Sequence, residues 1–227
     1  MSKKIAKFVK RKQDNFLTLL EKNWRDWFFK PLTTFLFYTN ITANHITIFG
    51  LILVSGAIAG FIYDINIKWQ FLIILIAALS DAIDGPRARN HNEVTALGTW
   101  LDHVRDGFLI FWMTFLIYHF RLLTLEWIII IWTIEIFISW ILIKDFLIKL
   151  LQKPYEEWRE VAREYSFEKL QATVIGRAQF LFINLGYLVL LSSLLKTYPT
   201  SILVGKAFLV LAIIFSTMNT YEIYTKR

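Results

Sequence analysis

Long uncharged apolar runs alternate along this chain with short clusters of charge. Residues 46–63 hold 18 positions without a charged side chain, enough for a helix to cross ~30 Å of hydrocarbon. Residues 69–80 and 107–120 hold only 12 and 14 such positions. Neither run spans unless its helix also takes in the neighbouring aspartates. That places Asp81 and Asp84 at the end of one spanning helix, and Asp102 and Asp106 in the opening turns of the next. Residues 127–143 make a fourth run, interrupted by Glu135 alone, and residues 178–195 and 207–221 a fifth and a sixth. The pattern predicts an all-α integral membrane protein with six transmembrane helices.

Ahead of these runs, residues 1–44 set Lys7, Phe8 and Lys10, then Phe16, Leu19 and Leu20, then Trp24, Trp27, Phe28 and Phe29 at helical spacing, with basic residues between them. This reads as an N-terminal amphipathic helix in the interface plane, its aromatics at headgroup level. A helix packed against the bundle fits the same pattern. The expected organisation is a basic juxtamembrane segment, 1–44, followed by a six-helix membrane domain, 45–227. No cleavable signal peptide is expected, because the first long apolar run begins only near Ile46.

Composition supports the membrane reading. Hydrophobic residues are 56% of the 227, aromatics 17%, and the mean hydropathy is +0.48. A soluble domain of this size has no core large enough for that much apolar surface. The absence of cysteine excludes disulfides and thiolate metal sites. The net charge of +7 does not point to nucleic acid. Nine of the 25 Lys/Arg precede His45 and seven more lie within 144–177, beside apolar spans, where they suit anionic lipid. With a cytoplasmic N-terminus, the outward loops carry only Lys68, Arg121, Lys196 and Lys206. The other 21 basic residues then face the cytoplasm or the active-site layer, and the positive-inside rule sets that orientation.

The chemistry is concentrated in residues 81–106. Residues three or four apart share a helix face, so Asp81 pairs with Asp84, and Asp102 with Asp106. Two antiparallel helices would bring these faces together near the cytoplasmic boundary. Four carboxylates there repel one another, and divalent cations with hard oxygen ligands remove the conflict. Gly85 and Pro86 are expected to end the helix, with Arg87 and Arg89 in the loop as phosphate partners. Ala88 and Gly98 leave room for a base or ribose. The whole reads as a site for a metal-bound pyrophosphate. An ion-pair cluster of the aspartates with Arg87, Arg89 and Arg105 is the bland alternative.

The spacing Asp81-x₂-Asp84-Gly85-x₂-Ala88-Arg89-x₈-Gly98-x₃-Asp102-x₃-Asp106 resembles the signature of the CDP-alcohol phosphotransferase family at all eight fixed positions. The six-span pattern and the segment Thr42-Ala43-Asn44-His45-Ile46-Thr47 resemble that family too. Ala43 departs from it, since many members have proline there, and a looser start to the first spanning helix is expected. The resemblance implies that Asp81, Asp84 and Asp102 hold two divalent ions, Mg²⁺ or Mn²⁺, on the pyrophosphate. Asp106 would complete the ligand set and act as general base. Gly85, Ala88, Arg89 and Gly98, with Asn44, would cradle cytidine and phosphate. Arg105, Lys144 and Arg177 are candidates for the acceptor, and His103 for a place behind the ligands.

The implied reaction moves a phosphatidyl-type group from a CDP-alcohol to a hydroxyl and releases CMP. Residues 176–191 resemble phosphatidylglycerophosphate synthases, which favours CDP-diacylglycerol and glycerol 3-phosphate. Asp102-His103 resembles the choline/ethanolamine branch, in which soluble CDP-choline or CDP-ethanolamine meets diacylglycerol. A homodimer is implied by resemblance alone. The rival of another class is a transporter that holds a cation in buried carboxylates.

Overall fold

The computed structural model describes residues 16–168, 173–195 and 199–225, and among them the regular elements are all helices. They are α1 (Phe16–Tyr38), α2 (Ala43–Ile62), α3 (Ile67–Asn90), α4 (Ala96–His119), α5 (Leu125–Gln152), α6 (Trp158–Glu168), α7 (Val174–Ser192) and α8 (Pro199–Thr225). A 3₁₀ turn, Tyr155–Glu157, precedes α6. Lys7, Phe8 and Lys10 of the amphipathic pattern lie outside the described residues.

Four of these helices are long and apolar enough to cross a membrane: α2, α5, α7 and, within α8, Thr200–Tyr224. The sequence pattern leads to six, and the difference has a physical cause. Helices α3 and α4 have 24 residues each, ample for ~30 Å, but both carry the charged cluster. Their charge, rather than their length, sets them apart from the other four. The spanning helices turn large apolar side chains outward, among them Phe49, Ile52, Ile136 and Phe137. Apolar surface on that scale suits lipid rather than water.

Inside, Val54 and Ala57 of α2, Ile74 and Ala77 of α3, and Leu109 and Met113 of α4 are completely buried against one another. The most extensive pairing is between α7 and α8, followed by α2 with α3. A polar chain ties α5, α7 and α8 together. Glu135 accepts from Gln179 and from Ser216 (3.4 Å), Asn219 donates to Gln179 (2.9 Å), and Thr173 donates to Asn219 (2.8 Å). Glu135 thus has the packing partners that a mid-span carboxyl requires.

On helix α1, Trp24, Trp27, Phe28 and Phe35 point outward. The opposite, polar face packs on α3. Asn90 Nδ2 donates to Asp26 O (3.1 Å) and to Thr33 Oγ1 (3.0 Å), and Arg25 donates to Ala82 O (3.4 Å).

That last bond explains why Pro86 does not end its helix as expected. Helix α3 runs on to Asn90 with Pro86 inside it. Proline has no N–H for the carbonyl four residues back, which here is Ala82 O. The Arg25 guanidinium takes up the carbonyl so freed.

Helix α2, expected to start loosely at Ala43, is firmly capped. Thr42 and His45 form a reciprocal capping box. The Ala43 N–H donates to Glu93 Oε2 (3.2 Å), a bond that proline could not make.

Candidate functional site

Helices α3 and α4 are joined by only five residues, 91–95, with Asn92 at φ 56° providing the turn. Glu93 in this connection holds Arg87 at 2.9 Å as well as the start of α2, so the end of α3 and the start of α2 are pinned together. Thr95 caps α4 by accepting from Gly98 N (2.9 Å). The tight connection sets the two aspartate-bearing faces against each other. Asp81 and Asp84 come from the C-terminal half of α3, and Asp102 and Asp106 from the second and third turns of α4.

The four carboxylates converge, and at their centre stands a guanidinium. Arg105 has no exposed side-chain surface and pairs with Asp81, Asp84, Asp102 and Asp106, the last at 2.7 Å from Nη2. Asp84 lies deepest and also accepts from Thr47 Oγ1 (2.9 Å). Asp102 is the most open of the four, with 37% of its side chain accessible. Asp81, Asp102 and Asp106 each offer an oxygen, all within 4.8 Å of one another. Three carboxylates at that separation are the donor set a hard divalent cation takes. Four carboxyl groups thus surround a single guanidinium.

The other residues singled out from the sequence divide into two groups. Arg89, near the C-terminal end of α3, is clamped on Asp26 of α1, with Nη2–Oδ1 at 2.6 Å and Nε at 3.0 Å from both oxygens. A Cβ on Gly85 would lie 3.1 Å from Arg89 Nη1, so the glycine makes room for that guanidinium. A Cβ on Gly98 would lie 2.6 Å from Asn44 Oδ1, so Gly98 and Asn44 also sit directly together. Ala88 is half-buried on the same stretch of α3.

Arg87, expected to meet phosphate, is a structural residue instead. It is buried, paired with Glu93, bonded to Ile41 O (3.0 Å) and stacked over Phe37. His103 is exposed. Lys144 is exposed on α5, and Arg177 is half-buried in the first turn of α7. Thr47 and Asp26 were not singled out. Thr47 lies in the segment next to Asn44, but Asp26 is 63 residues from Arg89 and nothing local marks it.

Residues 40–218 match the family model of CDP-alcohol phosphatidyltransferases. The chain belongs to that family. An uncharacterised protein of Aquifex aeolicus (strain VF5) is 39% identical over 94 residues, which are 41% of this chain and 47% of that protein. The chain thus aligns with about half the length of the curated relative it matches. CDP-alcohol phosphatidyltransferases transfer phosphatidyl groups from CDP-alcohols, and the four apolar helices suit a membrane enzyme of that class. All eight residues of the aspartate spacing lie inside the matched segment. Helix α1, with Asp26, lies before it.

The Asp26–Arg89 pair couples α1 to the C-terminal end of α3. Both side chains are partly exposed, so the pair contributes about 1 kcal/mol at most. Asp26→Ala is expected to release the helix locally. Amide hydrogen exchange along α1 around residue 26, in detergent, should speed up by up to about fivefold, the factor that 1 kcal/mol represents. Unchanged exchange would mean that the remaining bonds of α1 to α3 and its apolar contacts hold the helix.

Proposed function

We propose that this chain transfers a phosphatidyl-type group from CDP-diacylglycerol to a small polar hydroxyl acceptor such as glycerol 3-phosphate, releasing CMP. The observation that carries the reading is the convergence of Asp81, Asp84, Asp102 and Asp106 in one cluster, at the spacing of the family's signature. In the reaction the acceptor oxygen bonds to the phosphorus that bears the lipid, and the P–O bond to CMP breaks. Asp106 accepts the hydroxyl proton, one turn along α4 from Asp102. Two divalent ions, Mg²⁺ or Mn²⁺, held by the four aspartates would neutralise charge on the pyrophosphate and the departing CMP.

Arg89 would exchange Asp26 for a substrate phosphate, since its guanidinium presents a fork that suits either anion. Gly85, Ala88, Gly98 and Asn44 would line the nucleotide. Arg177 and Lys144 are the acceptor candidates, and an anionic acceptor would suit them. Helices α3 and α4 would cross the membrane with the other four, their charges gathered at the cytoplasmic end. Residues 1–44 would form the juxtamembrane segment before the membrane domain. The family resemblance adds a homodimer.

The test is CMP release by the purified chain with Mg²⁺ or Mn²⁺, offered CDP-diacylglycerol with glycerol 3-phosphate, inositol phosphate or serine, and separately CDP-choline or CDP-ethanolamine with diacylglycerol. Release with CDP-diacylglycerol and a phosphorylated alcohol is expected. Release only with diacylglycerol would move the chain to the choline/ethanolamine branch. No CMP from any pair would defeat the reading.

A further inference from the structure

The eight-position spacing leaves residue 105 unspecified, so the arginine there is a feature of this chain rather than of the signature. Its placement is unusual in two respects. The side chain has no exposed surface although its partners are open by up to 37%. Three carboxylate oxygens, Oδ1 of Asp81, Asp102 and Asp106, converge on the single atom Nη2. A guanidinium Nη carries two protons and donates two bonds, so three acceptors around it exceed its capacity. A spherical cation has no such limit. The same three aspartates are the group whose oxygens lie within 4.8 Å of one another.

The arginine also has a slot built for it. A Cβ on Gly50 of α2 would stand 2.8 Å from Arg105 Cδ and 2.8 Å from Ser80 Oγ. The missing side chain at Gly50 is therefore the space through which the Arg105 stem reaches the carboxylates. A cation delivered through a shaped channel into an oxygen cage differs from an incidental surface pair, whose worth is small.

We propose that Arg105 is a resident counter-ion occupying the divalent-cation position of the Asp81–Asp102–Asp106 cage, and that it withdraws when an ion is loaded. Residue 105 then sets the metal affinity of the site, because the ion binds only the fraction of molecules in which the guanidinium has left. The inference rests on the metal-dependent transfer proposed above.

The experiment measures Mn²⁺ binding to the purified full-length chain by loss of the free-ion electron paramagnetic resonance signal. Wild type, Arg105→Gln, Gly50→Ala and Asp102→Asn are compared, each with a melting curve in EDTA and in Mn²⁺. Arg105→Gln should bind Mn²⁺ about tenfold to a hundredfold tighter than wild type, the factor expected when a competitor holding the site nine-tenths of the time or more is removed. Its Tm should fall in EDTA, where four carboxylates lose their counter-ion, and recover more in Mn²⁺ than the wild type's does.

Gly50→Ala, which leaves every ligand in place and crowds only the arginine stem and Ser80, should tighten binding in the same direction by a smaller factor. It carries the test if Arg105→Gln does not fold. Asp102→Asn should bind weakly. Equal or weaker Mn²⁺ binding in Arg105→Gln and Gly50→Ala, with Asp102→Asn still impaired, overturns the competition and leaves the metal reading standing. Absence of binding in wild type, Arg105→Gln and Gly50→Ala alike overturns both.

Discussion

Asp106→Asn is expected to lower the rate of CMP release by about 10²–10⁴-fold, the usual contribution of a positioned general base. The substitution keeps the size and shape of the side chain but removes its capacity to accept a proton. Asp106 lies 2.7 Å from Arg105 Nη2 and is only partly exposed, so asparagine retains the packing and can still accept from the guanidinium. The loss should therefore fall on kcat, with KM for the CDP-alcohol little changed.

Because Asp106 is grouped with Asp81 and Asp102, Mn²⁺ titration of the same variant is the necessary companion measurement. If binding survives while CMP release is lost, the residue acts as the base. If binding and release fall together, it acts as a ligand. Activity within about tenfold of wild type would remove Asp106 from the chemistry altogether.

Gly205→Val should be the most disruptive substitution away from the aspartates. Helices α7 and α8 approach so closely that each glycine faces the carbonyl of the other. A Cβ on Gly205 would stand 2.7 Å from Leu190 Cγ and 3.1 Å from Gly186 O, and one on Gly186 3.2 Å from Gly205 O. Backbone cannot rotate out of the way as a side chain can, so the helices must separate. Overpacking of this kind costs about 1–3 kcal/mol, and small residues at the crossing are what permit close helix packing in a membrane.

Separation would also strain the bonds from Thr173 to Asn219 and from Asn219 to Gln179, which cross the same pair. Thermal unfolding in detergent should show a clear drop in Tm for Gly205→Val. Gly56→Ala, where a Cβ meets nothing within 4 Å, should be neutral or slightly stabilising because alanine suits a helix better than glycine. Equal Tm values for the two variants would mean that the crossing does not hold the bundle.

Much of this could be read along the chain. Apolar runs of 18 residues announce helices because every backbone group in hydrocarbon must be bonded within its own segment. Helix periodicity alone pairs Asp81 with Asp84 and Asp102 with Asp106, and a five-residue connection leaves the two faces little choice but to meet. Contacts between distant positions were not readable in this way. Arg87 and Arg89 are two residues apart and look equivalent, yet one is buried on Glu93 and Phe37 while the other opens toward Asp26. Pro86 looks like a helix end, yet the helix continues, and the guanidinium of Arg25, arriving from another helix, takes up the carbonyl that the proline leaves free.

The division follows from the range of the forces involved. Hydrophobicity and helix geometry act over a few residues, so the sequence by itself determined the helices, the membrane class and the carboxylate spacing. Which cation answers those carboxylates depends on what the fold brings within a few ångströms, since charge-assisted hydrogen bonds form only at contact distance. The tertiary structure alone decided that Arg105, threaded past Gly50, stands among the four aspartates, and that Asp26 of α1 closes on Arg89.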